Sequence, residues 1–168
     1  MCSFNTSQWT NEDFVREYCA DADTYFPDRA RHLAIIQSFY RQFVAGPGTA
    51  RRVLDLGCGD GIITAALHTV DSSLEATLVD GSSDMLEAAR SRLTAFGKIN
   101  LVLRNFEDLD KSDFEPDSFE LVVSSMAIHH LTLAEKRRLF SGAHHWLSQG
   151  GHLLVLDAVL GTTSTIEE

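Results

Sequence analysis

One glycine-rich stretch decides the fold: Val53-Leu-Asp-Leu-Gly57-Cys-Gly59-Asp-Gly61-Ile-Ile-Thr64. Its first half is a short apolar run, typical of a buried strand, and helical periodicity follows the glycines. Glycine allows a tight turn and lets a ligand approach the backbone with no Cβ in between. The stretch therefore predicts a strand, a turn and a helix, with a ligand held at the turn. For such a motif on its own, a purely structural turn is the alternative.

The sequence after this stretch continues to alternate between strand and helix patterns. Strands alternating with helices at this spacing favour right-handed crossovers and a parallel sheet covered on both faces. We therefore predict an α/β fold, doubly wound, with a mainly parallel sheet of about five strands. The predicted strands are 52–56, 75–80, 99–103, 118–124 and 152–160, the helices are 62–70, 83–96 and 132–147, and a turn is predicted at 149–151.

Two helices are predicted in front of this core, over 11–26 and 28–44, with a break at Pro27. A chain of 168 residues has the length of one domain. We expect a single domain over 1–168. It consists of a helical cap at 1–49, an α/β core at 50–160 and a polar tail at 161–168.

The composition narrows the class of partner. Lys and Arg number 14 against 24 Asp and Glu, a net charge of −10 with neutral histidines. A surface this acidic repels a polyphosphate backbone, so we expect a small-molecule ligand and no nucleic acid. No apolar run approaches the ~20 residues that span a bilayer, and no secretory signal is visible, which predicts a cytoplasmic protein without a membrane partner. Three scattered cysteines, Cys2, Cys19 and Cys58, predict neither a disulfide framework nor a metal site.

Carboxylates surround the glycine loop. Asp55 precedes it, Asp60 lies within it, and Asp80 closes the second strand. The Gly-x-Gly-x-Gly spacing differs from the dinucleotide Gly-x-Gly-x-x-Gly pattern, and carboxylates here would repel a pyrophosphate but attract ammonium and sulfonium groups. Asp80 is placed to accept hydrogen bonds from ribose hydroxyls, which NAD also carries. An NAD-linked oxidoreductase is therefore the disfavoured alternative.

Four stretches, at 53–64, 79–90, 119–131 and 147–155, resemble in order and spacing the motifs of the class I S-adenosylmethionine-dependent methyltransferases. The resemblance implies a Rossmann-like methyltransferase fold with S-adenosyl-L-methionine as cofactor. It also implies in-line methyl transfer to a small-molecule acceptor, the usual substrate of members with His-His after strand four. Because the family sheet has seven strands, we expect a truncated chain that lacks the C-terminal strand pair. A non-catalytic cofactor-binding module or partner subunit is the alternative function.

The resemblance also implies roles for individual residues. The loop glycines would contact the methionine and ribose parts of the cofactor, Asp55 would hold its amino end, and Asp80 would bind its ribose. Asn105 stands where the family usually has Asp, and it keeps an acceptor oxygen for the adenine. The implied cofactor-binding residues are Tyr18, Arg29, Asp55, Gly57, Gly59, Gly61, Asp80, Gly81, Ser82, Met85, Asn105, Phe106, Glu107 and Ser124. For Tyr18 and Arg29, a purely structural role is the alternative.

His129 and His130 follow the fourth strand and are candidates for a general base. Imidazole titrates near neutral pH, and a base is needed only if the acceptor loses a proton near the transition state. We name His129 as the candidate catalytic residue, with a loop-capping hydrogen bond as the alternative.

Strand five is expected to form an apolar edge of the sheet. An open edge exposes unpaired N–H and C=O groups and tends to recruit another strand. We therefore expect a homodimer through this edge, with the helix at 28–44 folding over it as the alternative.

Overall fold

A computed structural model describes residues 7–26, 28–48 and 50–158. Neighbouring strands are parallel, in the order β3-β2-β1-β4-β5. Strand order reverses at β1, which pairs with β2 on one side and with β4 on the other. The predicted doubly wound parallel sheet is confirmed. The strands are β1 (Arg52–Leu56), β2 (Glu75–Asp80), β3 (Ile99–Leu103), β4 (Phe119–Ser125) and β5 (Leu147–Leu156).

Helices cover both faces of this sheet. The helices are α1 (Glu12–Ala20), α2 (Ala22–Tyr25), α3 (Arg29–Phe39), α4 (Ile62–His68), α5 (Ser83–Arg92) and α6 (Leu133–Trp146). A π-helical turn, Tyr40–Val44, extends α3. Side chains of α3, α4 and α5 pack on one face, and those of α6 pack on the other. The central strands β1, β2 and β4 are mostly buried and apolar because both faces of the sheet are covered.

The structure corrects several predicted boundaries. The helix predicted at 11–26 is broken at Asp21, whose backbone is not helical. Helices α4 and α5 end at His68 and Arg92, earlier than the periodicity of the sequence suggests.

The largest correction concerns strand five. The residues predicted as a turn, 149–151, belong to β5, which begins at Leu147. The β4–β5 register shifts between Phe119 and Leu121. A Cβ on Gly151 would lie only 3.0 Å from the carbonyl oxygen of Phe119, so glycine permits this close pairing. The strand ends at Leu156, and residues 159 and 160 lie outside the described residues.

The outer edge of β5 is only partly covered. The rings of Phe39 and Phe43 pack on His152, with ring centroids 5.6 and 5.8 Å apart. Farther along the strand, Leu153 and Val155 remain 38% and 37% exposed. Across the described ranges, we find no helix with the length and apolar character needed to cross a membrane.

Candidate active site

A cavity of about 770 Å³ opens beyond the carboxyl ends of the strands, where strand order reverses. Its inner wall comes from the loops after β1 to β4, and its outer wall from the N-terminal helices. Doubly wound sheets bind ligands at this point, and the volume suits a small molecule. The cavity is therefore the candidate active site.

Asp80, the last residue of β2, lines this cavity and fixes the glycine loop. Its Oδ2 accepts the backbone N–H of Gly59 at 2.9 Å, and its Oδ1 accepts that of Ser82 at 2.8 Å. Burial raises the pKa of Asp80, and these two backbone donors oppose that rise. The loop and the strand end are thereby held at one position.

The three loop glycines all have a positive φ, and a side chain would meet different surroundings at each of them. A Cβ on Gly57 would approach the Cβ of Ala127, and one on Gly61 would lie 3.0 Å from Leu93 Cδ1 on the α5 side. At Gly59, the only atom of the described residues within 4 Å is Met85 Sδ, at 4.0 Å. Gly57 and Gly59 line the cavity, whereas Gly61 is a packing position.

Asp55 and Ser124 lie behind the cavity wall and are almost fully buried. Asp55 Oδ2 accepts a hydrogen bond from the Thr64 hydroxyl at 2.8 Å, and its Oδ1 has no partner among the described residues. Desolvation raises the pKa of Asp55 from 3.8 to about 7. The Ser124 hydroxyl donates to the carbonyl of Leu56 at 2.7 Å and so joins β4 to β1.

Asp60 does not present a free charge to the cavity. Arg29 Nη2 lies 3.2 Å from Asp60 Oδ2, and Arg92 binds both the carboxylate and the backbone carbonyl of Asp60. Our expectation that Asp60 would repel a pyrophosphate is therefore wrong, because two guanidinium groups compensate its charge. Electrostatic repulsion of a pyrophosphate at this loop then depends on the Asp80 carboxylate.

The N-terminal helices bring a cluster of aromatic side chains to the outer wall of the cavity. Tyr18 packs edge-on against Trp9, with ring centroids 5.0 Å apart, and lies 5.3 Å from Tyr25. Tyr18, Trp9 and Phe26 line the cavity together with Arg29. The sequence pattern identified Tyr18 and Arg29 but missed Trp9 and Phe26, which precede the helices that carry the predicted pair.

The loop after β3 completes the inner wall. Arg104, Asn105, Phe106 and Glu107 all line the cavity. Arg104 is paired with Asp113 at 2.7 Å, so its charge is compensated. The described structure therefore brings together these predicted residues: Tyr18, Arg29, Gly57, Gly59, Asp80, Gly81, Met85, Asn105, Phe106 and Glu107.

Five predicted residues do not reach the cavity wall. Asp55, Gly61 and Ser124 are placed as described above. Ser82 caps α5, and its hydroxyl accepts the backbone N–H of Met85 at 3.3 Å. His129 is held by Asp157, the residue after β5. Its Nδ1 lies 2.5 Å from Asp157 Oδ1, and its backbone N–H donates to Asp157 Oδ2 at 2.8 Å. These contacts fit the loop-capping alternative for His129.

The neighbouring His130 lines the cavity instead. Burial, and then the nearby His129, lower the pKa of His130. Met126, also on the wall, has a φ of 54°, a backbone conformation that sequence periodicity does not signal. Within the described ranges, no group of three metal-ligating side chains is placed to hold an ion.

Comparison with known proteins agrees with this geometry. Residues 53–151 match the methyltransferase domain family. The chain is 31% identical over 128 residues to ribosomal RNA small subunit methyltransferase C of Citrobacter koseri, covering 73% of this chain and 36% of that protein. It is 32% identical over 131 residues to ribosomal RNA large subunit methyltransferase G of Streptomyces coelicolor, covering 76% and 34%. The chain thus spans about a third of the length of these relatives.

Solved structures share the fold. Phosphoethanolamine N-methyltransferase 1 of Haemonchus contortus, in complex with phosphoethanolamine and S-adenosylhomocysteine, superposes with a TM-score of 0.63 at 20% identity. That alignment covers 85% of this chain and 30% of the other. A Methanococcus maripaludis protein proposed to be an S-adenosyl-L-methionine-dependent methyltransferase gives a TM-score of 0.71 at 18% identity, covering 94% and 68%.

Fold, cavity and motifs define a Rossmann-like methyltransferase domain. The chain belongs to the methyltransferase domain family, and the predicted resemblance to the class I S-adenosylmethionine-dependent enzymes is confirmed.

Proposed function

We propose that this chain binds S-adenosyl-L-methionine in the cavity and transfers its methyl group to a small-molecule acceptor, leaving S-adenosyl-L-homocysteine. One observation carries the proposal: the Asp80 carboxylate lines the cavity beside Gly59, where open space faces the backbone. Each Asp80 oxygen accepts one backbone N–H and retains capacity for a ribose hydroxyl. NAD carries the same ribose group, so the test below includes it.

The residues near Gly57 fit the methionine part of this cofactor. Asp55 Oδ1 is buried with no partner among the described residues, and buried acceptors are normally hydrogen-bonded. An ammonium group, or a water that it holds, would supply that partner. Arg29 faces the cavity from the opposite wall, where a carboxylate would find a guanidinium.

When bound, S-adenosyl-L-methionine supplies a methyl group on a positively charged sulfur, which is an activated leaving group. The residues of this chain then have two tasks, which are to hold the acceptor in line and to exclude water. Asp80 and the glycine loop fix the ribose end. Trp9, Tyr18 and Phe26 cover the cavity and orient the acceptor. In-line positioning of this kind lowers a barrier by roughly 7–11 kcal/mol in favourable cases.

A ribosomal RNA acceptor is the second candidate, because relatives of about 30% identity bear that activity in their names. The net charge of −10 favours the small molecule, since an acidic surface repels RNA phosphates. Those relatives are also about three times as long as the matched region, so their RNA specificity need not lie within it. The cytosol, where both kinds of acceptor occur, remains the predicted location.

Calorimetry with S-adenosyl-L-methionine, S-adenosyl-L-homocysteine and NAD tests cofactor binding. The proposal expects the first two to bind and NAD to fail. Transfer of a tritiated methyl group to a small-molecule panel and to ribosomal RNA then separates the two acceptors. Binding without any transfer would instead favour a non-catalytic module or a partner subunit, and tighter binding of NAD would contradict the proposal.

A further inference from the structure

The polar groups left over in the cavity indicate the class of acceptor, a step that rests on the methyl-transfer function proposed above. Of the carboxylates near the cavity, only Asp60 is compensated, by Arg29 and Arg92. Asp80, Glu107 and Glu135 line the cavity and have no cation paired with them among the described residues. An anionic acceptor would be repelled by these carboxylates, so the cavity does not suit an anion.

Two imidazoles are candidates for hydrogen bonding with an acceptor. His32 of α3 and His130 both line the cavity. Nδ1 of His32 is buried and lacks a hydrogen-bond partner among the described residues. An imidazole nitrogen exchanges a hydrogen bond with a hydroxyl group, which both donates and accepts. His32 Nδ1 is closed off from the cavity, so His130 is the imidazole that offers a site for a hydroxyl.

Ring faces and apolar side chains surround these imidazoles. Phe26 packs against His32, with ring centroids 4.7 Å apart. Trp9, Leu33 and Leu131 line the same cavity. A planar aromatic ring packs well on such a surface, since aromatic pairs gain from stacked and edge-on contact. Shape and polarity together favour a ring that carries a hydroxyl.

His130 is held in place through its neighbour His129. It ends the short turn Ile128–His130 between β4 and α6. Asp157, beyond β5, binds both the ring and the backbone N–H of His129. The His130 ring packs on that of His129, with ring centroids 4.0 Å apart. Asp157 and His129 are thus positioning residues, and His130 is the group presented to the cavity.

We infer that the acceptor is an aromatic alcohol methylated on oxygen, and that His130 is the base that takes its proton. The hydroxyl O–H bond breaks as its proton moves to the His130 imidazole. The oxygen electron pair forms the new O–CH₃ bond while the sulfonium S–CH₃ bond breaks, which leaves a neutral thioether. The imidazolium then returns its proton to solvent. The titratable groups that act on His130 are His129 of its own turn and Asp157 beyond β5. Glu135 of α6 lines the same cavity.

The test begins with the parent protein saturated with S-adenosyl-L-homocysteine. Failure of that step would overturn methyl transfer itself, before any acceptor probe is added. Three probes then follow: 4-nitrophenol, cationic phenethylamine and phosphoethanolamine. We expect 4-nitrophenol to bind most tightly, because it is the one probe of the three that carries both an aromatic ring and a hydroxyl. Tighter binding of either charged probe, or no binding of 4-nitrophenol, would overturn the acceptor class.

His130→Gln tests the base, because glutamine still forms hydrogen bonds but takes no proton. We expect it to bind 4-nitrophenol like the parent and, at a pH below the pKa of free 4-nitrophenol, to lose at least about a hundredfold of the rate of 4-nitroanisole formation from S-adenosyl-L-methionine. His144→Gln, on the exposed side of α6, is the matched control and should behave like the parent. A His130→Gln protein that keeps the rate at that pH would overturn the role of His130.

Discussion

The Asp80 carboxylate accepts the backbone N–H of Gly59 at 2.9 Å, which joins the end of β2 to the centre of the glycine loop. Two chain segments 21 residues apart in sequence are thereby fixed at one point of the cavity wall. The same carboxylate also accepts the N–H of Ser82, the residue that caps α5. Asp80 is therefore both a structural link and the proposed ribose ligand, and the predictions below separate these two roles.

Asp80→Ala should weaken binding of S-adenosyl-L-homocysteine by roughly 1.5–3 kcal/mol, about tenfold to a hundredfold, because hydrogen bonds to a charged acceptor are lost. Asp80→Asn keeps an acceptor oxygen for the Gly59 N–H and should lose less thermal stability than the alanine variant. Titration calorimetry measures the affinity, and Glu87→Ala, an exposed carboxylate of α5, is the control. An unchanged dissociation constant in Asp80→Ala would remove Asp80 from the site.

Gly59→Val should abolish cofactor binding, because its side chain enters the open space in front of the loop. The positive φ of 53° adds backbone strain, so circular dichroism and a melting curve must accompany the binding measurement. Gly150→Val is the matched control, since Gly150 also has a positive φ, of 80°, and a Cβ there meets no atom of the described residues within 4 Å. Normal binding by a folded Gly59→Val protein would show that the loop is only a turn.

Much of the architecture follows from local sequence. The run from Val53 to Thr64 forms β1, the turn and the start of α4 as predicted, because apolar strand residues and left-handed glycines leave few other conformations. Gly150 and Gly151 misled the prediction. They suggested a turn that separates α6 from the strand, but they lie inside β5, at the irregularity where the β4–β5 register shifts. Gly150 keeps the positive φ of a turn residue, at 80°, within the strand.

The site was only partly predictable from the sequence, because contacts between residues far apart in the chain decide which side chains face the cavity. Family motifs locate residues near the strand ends, such as Asp80, but they do not show which neighbour faces the cavity. His129 and His130 are adjacent and chemically identical, and only the distant Asp157 decides between them by binding His129. The pairing of Asp60 with Arg29 and Arg92 likewise joins residues far apart in sequence. Contacts of this kind leave no periodic signal.

Asp55 makes stability depend on pH. Desolvation raises the pKa of this carboxyl from 3.8 to about 7, so the folded state holds a proton that the unfolded state releases. The stabilising contribution of this proton is complete below about pH 4 and is lost as the pH rises through about 7. Asp55→Asn keeps an acceptor for the Thr64 hydroxyl and removes the buried charge. It should therefore be more stable than the parent above pH 7, by about 1–3 kcal/mol, with the difference shrinking toward pH 4.

Urea unfolding of Asp55→Asn and parent at several pH values measures this difference, with Glu87→Gln as a control for an exposed carboxyl. The same substitution should weaken binding of S-adenosyl-L-homocysteine, because the proposed partner of its ammonium group is lost. A stability difference that is constant with pH would contradict the raised pKa. Unchanged affinity would contradict the binding role.

The edge of β5 makes self-association the expected behaviour of this chain. Phe39 and Phe43 pack on His152, but Leu153 and Val155 remain exposed on a strand that has a neighbour only on its β4 side within the described residues. Unpaired N–H and C=O groups beside apolar side chains recruit another strand. The simplest closed arrangement is a two-fold dimer in which both copies use the same edge.

Light scattering at micromolar concentration should therefore give the mass of a dimer for the parent. Leu153→Lys and Val155→Lys should shift it to a monomer, because a lysine on this edge would place two like charges together across the two-fold axis. Leu103→Lys puts the same charge on β3, the opposite edge strand, where Leu103 is 59% exposed, and should leave the dimer intact. A monomeric parent whose β5 variants behave identically would show that contacts such as Phe43 on His152 already protect the edge. Dissociation by Leu103→Lys alone would instead place the interface at β3.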